Sequence, residues 1–252
     1  MSQFGASLGL RAHAVWKCAR VLVQVVSCLI TIAWVFPKLS ARQKDERIKA
    51  VAQALLAQMA IKLIVKGEPP ATGPVMLAAN HISWLDILVM RAAHDCRFVS
   101  KSEVRHWPLI GSLAVGAGTL FIERESRRDA MRVVHHMAEH LRAGEILAIF
   151  PEGTTSNGVD LLPFHANLFQ SAISAHAPVQ PVALQFVDAA TGELSLAPCY
   201  IDDDTLLGSI WRTLTAPPLC AVVTFGAPQL AQERERRAWA ADVRTALERL
   251  RA

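Results

Sequence analysis

The sequence predicts an α/β fold: a mixed, largely parallel sheet flanked by helices, preceded by an N-terminal membrane-associated helical segment. Three observations carry that prediction. From residue 75 onward, short apolar runs alternate with stretches of helical periodicity, the pattern of strands and helices layered on one sheet. An uncharged, strongly apolar stretch covers residues 21–36. Between the two lies a dense turn cluster, GEPPATGP at 67–74, which divides an anchor, residues 1–66, from a main domain, residues 67–252.

The apolar stretch is interrupted only by Gln24, Ser27 and Thr31, with Arg11, Lys17 and Arg20 before it and Pro37 and Lys38 after it. Its length at about 1.5 Å per residue is roughly 24 Å, short of the roughly 30 Å hydrocarbon core, so it spans only by snorkelling its flanks. No small-x-small cleavage site comes after it, and the segment is expected to be retained. Residues 45–65 carry a roughly helical apolar face, including Ile48, Val51, Leu55, Met59, Ile61 and Ile64, that broadens toward its end. Two helices lying in one leaflet and a true span both fit these flanks. In a span, the basic load at Lys38, Arg42, Lys44, Arg47 and Lys49 keeps the main domain on the cytoplasmic face of the inner membrane.

Within the main domain, strands are expected at 75–79, 97–100, 119–122, 145–150, 179–187, 194–200 and 219–225. Helices are expected at 84–93, 126–142, 166–175, 206–214 and 232–250. Ser126 and Asp129 form a capping box for the second of these helices, and Gly144 ends it. There is no internal repeat and no low-complexity segment.

Composition narrows the function classes. A hydrophobic fraction of 52% beside a charged fraction of 19% suits a protein at a membrane. The formal charge of +4 has the sign expected for anionic lipid or phosphorylated substrates. Nucleic acid is not an expected partner, because aromatics are only 6% and no basic stripe interleaves them. Cys18, Cys28, Cys96, Cys199 and Cys220 show neither a CxxC nor a His-bearing metal spacing, so no disulfide framework or zinc site is expected.

The segment NHISWLDI at 80–87 places His81 near Asp86 just after an apolar run, a titratable base beside a carboxylate. On one continuous helix, positions five apart point about 140° away from each other, so His81 must precede the helix for the two to meet. Ser83 and Asp86 read as a capping box opening that helix, and on this segment alone Asp86 serves equally as a cap. Three further polar segments come after strands: FVSK ending at Lys101, GTLFIER ending at Arg124, and FPEGTTS at 150–156. Arg124 offers a planar charged fork to a phosphate and Lys101 a point charge, while Gly153 with Thr154 and the hydroxyls beyond it suits a close-approach turn. Taken singly, Arg124 reads as a surface arginine paired with Glu123 or Glu125, and Glu152 with Gly153 as a turn after a strand.

As an ordered set, NHISWLDI, GTLFIER, FPEGTTS and the apolar-Pro strand around Pro181 resemble the PlsC-like glycerophospholipid acyltransferase family, to which 1-acylglycerol-3-phosphate acyltransferases belong. The resemblance runs from about residue 75 to 187. It implies that His81 is the general base on the free hydroxyl of a lysophospholipid and that Asp86 orients the imidazole. It further implies that Lys101, Arg124, Glu152, Gly153 and Thr154 shape the acceptor site. The implied reaction carries a fatty acyl group from acyl-carrier protein or acyl-CoA to the sn-2 hydroxyl of 1-acylglycerol 3-phosphate, forming phosphatidic acid in phospholipid biosynthesis, with no metal or other cofactor. Another lyso-lipid, such as a lyso-ornithine lipid, is the alternative acceptor, and a lipid-binding protein without turnover is the alternative class. Two departures from the family pattern occur: Glu123 stands where an Asp is common, and His165 and Asn167 stand where a lysine and a glycine are common.

Other polar clusters read more simply. His136 and His140 have the spacing of a metal pair but no accompanying Glu motif, and read as a surface pair. Asp202, Asp203 and Asp204 read as a helix N-terminus or solvated loop, and the charged run 233–237 as a solvated helix face.

Overall fold

The structure, a computed structural model, describes residues 3–122 and 127–252. Seven strands form one sheet: β1 (Ile61–Lys66), β2 (Val75–Ala79), β3 (Arg97–Lys101), β4 (Leu120–Ile122), β5 (Ile146–Ile149), β6 (Val179–Asp188) and β7 (Leu219–Phe225). Their spatial order is β1-β7-β6-β2-β5-β3-β4, with every neighbour parallel except the antiparallel pair β6 and β7. The sheet is therefore mixed and largely parallel, as the alternation of apolar runs predicts.

Eight helices surround it among the described residues: α1 (Gln3–Trp34), α2 (Ala41–Gln58), α3 (Leu85–Ala93), α4 (Ile110–Gly116), α5 (Arg127–Arg142), α6 (Phe169–Ala175), α7 (Leu206–Thr215) and α8 (Arg236–Arg251). The two-residue period of β2 sorts them into layers. Leu77 and Ala79 face one core with Leu55 and Leu56 of α2 and Val89 and Met90 of α3. Met76 and Ala78 face the other, with Met137 of α5, Phe169 of α6 and Trp239 of α8. Every residue of β2 is buried, which is why it reads as an unbroken apolar run.

Four elements differ from expectation. Helix α1 begins at Gln3, well ahead of the apolar stretch, because Lys17 and Arg20 interrupt apolarity but not helix propensity; Arg20 lies over the Trp16 ring at 4.5 Å. Its portion Ala14–Trp34, 21 residues, is long and apolar enough to cross a bilayer, which corrects the shorter length taken from residues 21–36. Residues 61–66 are not the end of a helix but strand β1, paired in parallel with β7. Ala60, at φ 60°, ends the preceding helical turn, and the β-branched Ile61, Ile64 and Val65 suit the sheet edge. Residues 194–200 make only one bridge, Leu194 to Val187, instead of a strand, since Pro198 lacks a donor and the nearby carbonyls bond elsewhere. Finally, α8 starts at Arg236 rather than near 232, because Gln232 and Glu233 adopt left-handed φ of 49° and 65°.

Helix α1 lies along the body rather than away from it. Ala14 and Cys28 are buried, Cys18 and Val21 pack on the core below α2, and Gln58 Nε2 donates to Gln24 Oε1 at 3.3 Å. The opposite face leaves Leu22, Val23, Val26 and Ile30 exposed.

Candidate active site

Strands β2, β5, β3 and β4 are consecutive parallel neighbours, so the chain segments leaving Ala79, Ile149, Lys101 and Ile122 emerge at one edge of the sheet. The carboxyl edge is where open α/β sheets gather ligands. Asn80 prolongs the β2 ladder with its side chain: Nδ2 donates to Leu184 O at 3.0 Å and Oδ1 accepts from Leu184 N at 2.7 Å. The chain is thereby held against β6 one residue past the strand, and His81 begins the loop.

His81 Nδ1 and Asp86 Oδ2 are 2.8 Å apart. The same oxygen accepts from Ile82 N at 2.6 Å and Ser83 N at 2.9 Å, and Asp86 is fully buried. With its only acceptor-side neighbour a carboxylate, Nδ1 carries the proton, and Nε2 is left as the basic nitrogen without a hydrogen-bond partner among the described residues. The imidazole stacks on Phe150 with centroids 3.9 Å apart and planes 6° from parallel, and 19% of its side chain remains exposed. Helix α3 starts at Leu85, so His81 does precede the helix; Ser83, however, is not its N-cap, since its hydroxyl accepts from Leu85 N and Trp84 occupies the cap position. Asp86 reaches back to the Ser83 amide as expected of a capping acid and holds the imidazole with the same oxygen.

Glu152 sits behind this pair. Oε1 accepts from His81 N at 2.8 Å and Oε2 from Leu162 N at 2.8 Å, so both oxygens are committed to backbone. Burial raises the Glu152 carboxyl above its ordinary range, opposed by those two bonds and by the charges of His81 and Arg251. Gly153 takes φ 73°, a left-handed turn that favours glycine, and Thr154 is exposed beside it. Ser156 N and Oγ both donate to His81 O, at 2.9 and 3.3 Å. The loop after β5 is thus tied to the loop after β2 at His81 itself.

A second brace comes from residues far along the chain. Tyr200 N donates to Ile82 O at 3.0 Å, Thr155 Oγ1 donates to Tyr200 O, and Cys199 Sγ donates to Asn157 O at 3.4 Å. Arg212 of α7 clasps this strap, donating to Ala197 O at 3.0 Å and to Cys199 O, and holding the Asp204 carboxylate at 2.8 Å. From α8, Arg251 donates to Gly158 O and to Val159 O at 3.0 Å.

Of the residues expected at the site, His81, Asp86 and Glu152 are joined by hydrogen bonds, and Gly153 and Thr154 follow Glu152 in the same loop. Lys101 is exposed at the carboxyl end of β3, two strand spacings or roughly 10 Å from β2 along the same edge. Arg124 and Glu123 lie outside the described residues, as does the Ser126 cap. His165 takes no part in the His81 network and donates its amide to Pro151 O at 2.7 Å. His136 and His140 approach at 3.3 Å, with His140 also 3.0 Å from Glu145, and no group of three or more metal-type side chains occurs among the described residues. Unanticipated contributions are the Asn80 amide, the Phe150 ring, the 197–204 strap and Arg251. The first two stand inside motif segments, whereas the others carry no local pattern.

A family model described as acyltransferase matches residues 60–185. The 1-acyl-sn-glycerol-3-phosphate acyltransferase of Neisseria gonorrhoeae is 40% identical over 198 residues, covering 78% of this chain and 76% of that protein. The lyso-ornithine lipid O-acyltransferase of Pseudomonas aeruginosa is 39% identical over 212 residues, 81% and 80% of the two chains. Among solved structures, the 1-acyl-sn-glycerophosphate acyltransferase PlsC of Thermotoga maritima superposes with a TM-score of 0.62 at 20% identity, covering 94% of this chain and 98% of that one, a likeness of fold.

Proposed function

This chain belongs to the acyltransferase family that includes the 1-acyl-sn-glycerol-3-phosphate acyltransferases, and from that premise we propose that it acylates the sn-2 hydroxyl of 1-acylglycerol 3-phosphate. The donor is an acyl thioester of acyl-carrier protein or coenzyme A, and the product is phosphatidic acid. One observation carries the chemistry: His81 Nδ1 is held by Asp86 Oδ2 at 2.8 Å, which directs basicity to Nε2 of a partly exposed side chain.

In this reading Nε2 takes the hydroxyl proton as the acceptor oxygen attacks the thioester carbonyl. The new C–O bond forms, the C–S bond breaks, and the proton returns to the departing thiolate, leaving a diacyl product and a free thiol. Asp86 fixes the tautomer and stabilises the transient imidazolium. Phe150, parallel to the ring, keeps it from swinging out of plane. Glu152 and Gly153 shape the acceptor side by bracing the loops, and Lys101 with Arg124 supplies the cations for the acceptor phosphate. No step requires a metal or redox cofactor.

The near-equal identity to lyso-ornithine lipid acyltransferases favours a second acceptor of that kind. The apolar helix α1 supports membrane association, and the basic residues after it favour the cytoplasmic face for the body. An acceptor panel with labelled acyl donor, read by lipid identification, tests the proposal. Labelled phosphatidic acid is expected; label found only in ornithine lipid would replace the acceptor, and no labelled lipid would sink the reading.

A further inference from the structure

Among the described residues α1 packs against α2, against α4 at the end of the β3 crossover, and against α7. The α4 contact is close, for a Cβ on Gly116 would come within 2.5 Å of Ile32 Cδ1. The chain that climbs from β3 to α4 is unusually apolar at its surface: Trp107 is 46% exposed, Leu109 51% and Ile110 37%. Leu109 sits at φ 63°, a left-handed conformation that L side chains rarely adopt, and its side chain is nevertheless turned to solvent. Immediately before this tip, Lys101 and Arg105 are exposed, with the exposed Glu103 between them. The tip leaves the carboxyl end of β3, the edge of the sheet that holds His81.

That arrangement is the chemistry of a bilayer boundary. Branched apolar side chains suit the acyl region, an indole suits the headgroup level, and cations just behind suit lipid phosphates. The neighbouring α1 presents its own apolar face, with Val26, Ile30 and Trp34 exposed. We propose that residues 107–110 form a lipid-inserting tip, a contact between the catalytic body itself and an anionic bilayer that seats the His81 edge at headgroup level. A lyso-lipid acceptor then passes from the bilayer to His81 without crossing water, a route that rests on the acyltransferase reading.

The test uses the full chain carrying Trp107→Gln together with Leu109→Gln. Turnover is compared on long-chain 1-acylglycerol 3-phosphate embedded in phosphatidylethanolamine and phosphatidylglycerol vesicles, and on a short-chain acceptor dissolved as monomers. The expected result is a loss of about tenfold or more on vesicles with the monomeric acceptor changed by less than about twofold. Unchanged vesicle turnover, or equal loss on both acceptors, overturns the tip. Failure of the wild type to acylate either acceptor instead overturns the acyltransferase reading. As a check independent of the double variant's folding, wild type and Trp107→Phe are compared by fluorescence on brominated-lipid vesicles. Extra quenching in the wild type is expected, and identical quenching in both proteins refutes insertion.

Discussion

At the scale of single residues, the site concentrates its demands on one oxygen and one turn. Asp86 Oδ2 serves His81, Ile82 and Ser83 together, so the carboxylate that holds the imidazole also forms the loop. His81→Ala is expected to lower acyl transfer by about 10²–10⁴-fold while far-UV circular dichroism stays unchanged; near-wild-type turnover would remove the histidine from the mechanism. Glu152 makes a different prediction, one of stability against pH. Because burial places its folded-state value above the ordinary 4.5, the folded protein holds this proton more tightly than the unfolded chain. Its contribution to stability is therefore greatest below pH 4.5 and declines as pH rises through the folded value. Urea midpoints of wild type and Glu152→Gln, taken from about pH 4 to 7, should show the wild type losing ground relative to the variant as pH increases. A difference that grows in the wild type's favour would mean that the His81 and Leu162 amides outweigh burial.

At the scale of elements, the strap at 197–204 adds a second tie between two loops that Ser156 and Glu152 already bond at His81. Arg212 holds it at two carbonyls and one carboxylate, so Arg212→Gln should let the 82 and 155 loops drift apart. A roughly tenfold to hundredfold fall in kcat with little change in KM is expected, since misplacement of a reacting group by about 1 Å has an effect of that size, with Arg212→Lys recovering part of it. An equal effect on kcat and KM would reduce the strap to a substrate-binding rim. The strap is also where the sequence was least legible. Strands β2, β5, β6 and β7 announce themselves as buried apolar runs, and the His81 loop announces itself by helix geometry, because both signals are local. Residues 194–200 have a strand-like composition, yet their carbonyls go to an arginine of the next helix; Arg251 braces Gly158 from 93 residues away. Such long-range side-chain bonds leave no periodicity, and an anchor-to-sheet transition such as β1 is masked because Ile61 and Ile64 continue an apolar face equally well as helix or strand.

At the scale of the whole molecule, α1 decides how the enzyme meets the membrane. Its length permits a span, but one face is already occupied by the body, with Val21 and Cys18 against the core and Gln24 bonded to Gln58. To cross a bilayer the helix would have to leave that seat and expose the core beneath it, at a cost that grows with the apolar area uncovered. Lying in the plane of one leaflet requires no such separation and buries the outer face, where Val23 is 69% and Val26 47% exposed. The two faces then make opposite predictions for the same chemical change. Val23→Asp with Val26→Asp should cut vesicle binding by about tenfold or more with the melting temperature unchanged, because neither side chain packs on the body. Val21→Asp should instead destabilise the fold by roughly 2–4 kcal/mol, since it places a carboxylate against the core. Sedimentation with anionic vesicles and thermal unfolding of both variants separate the cases. If Val21→Asp leaves thermal stability untouched while abolishing binding, α1 is free of the body in the membrane-bound enzyme and a spanning helix replaces the in-plane one.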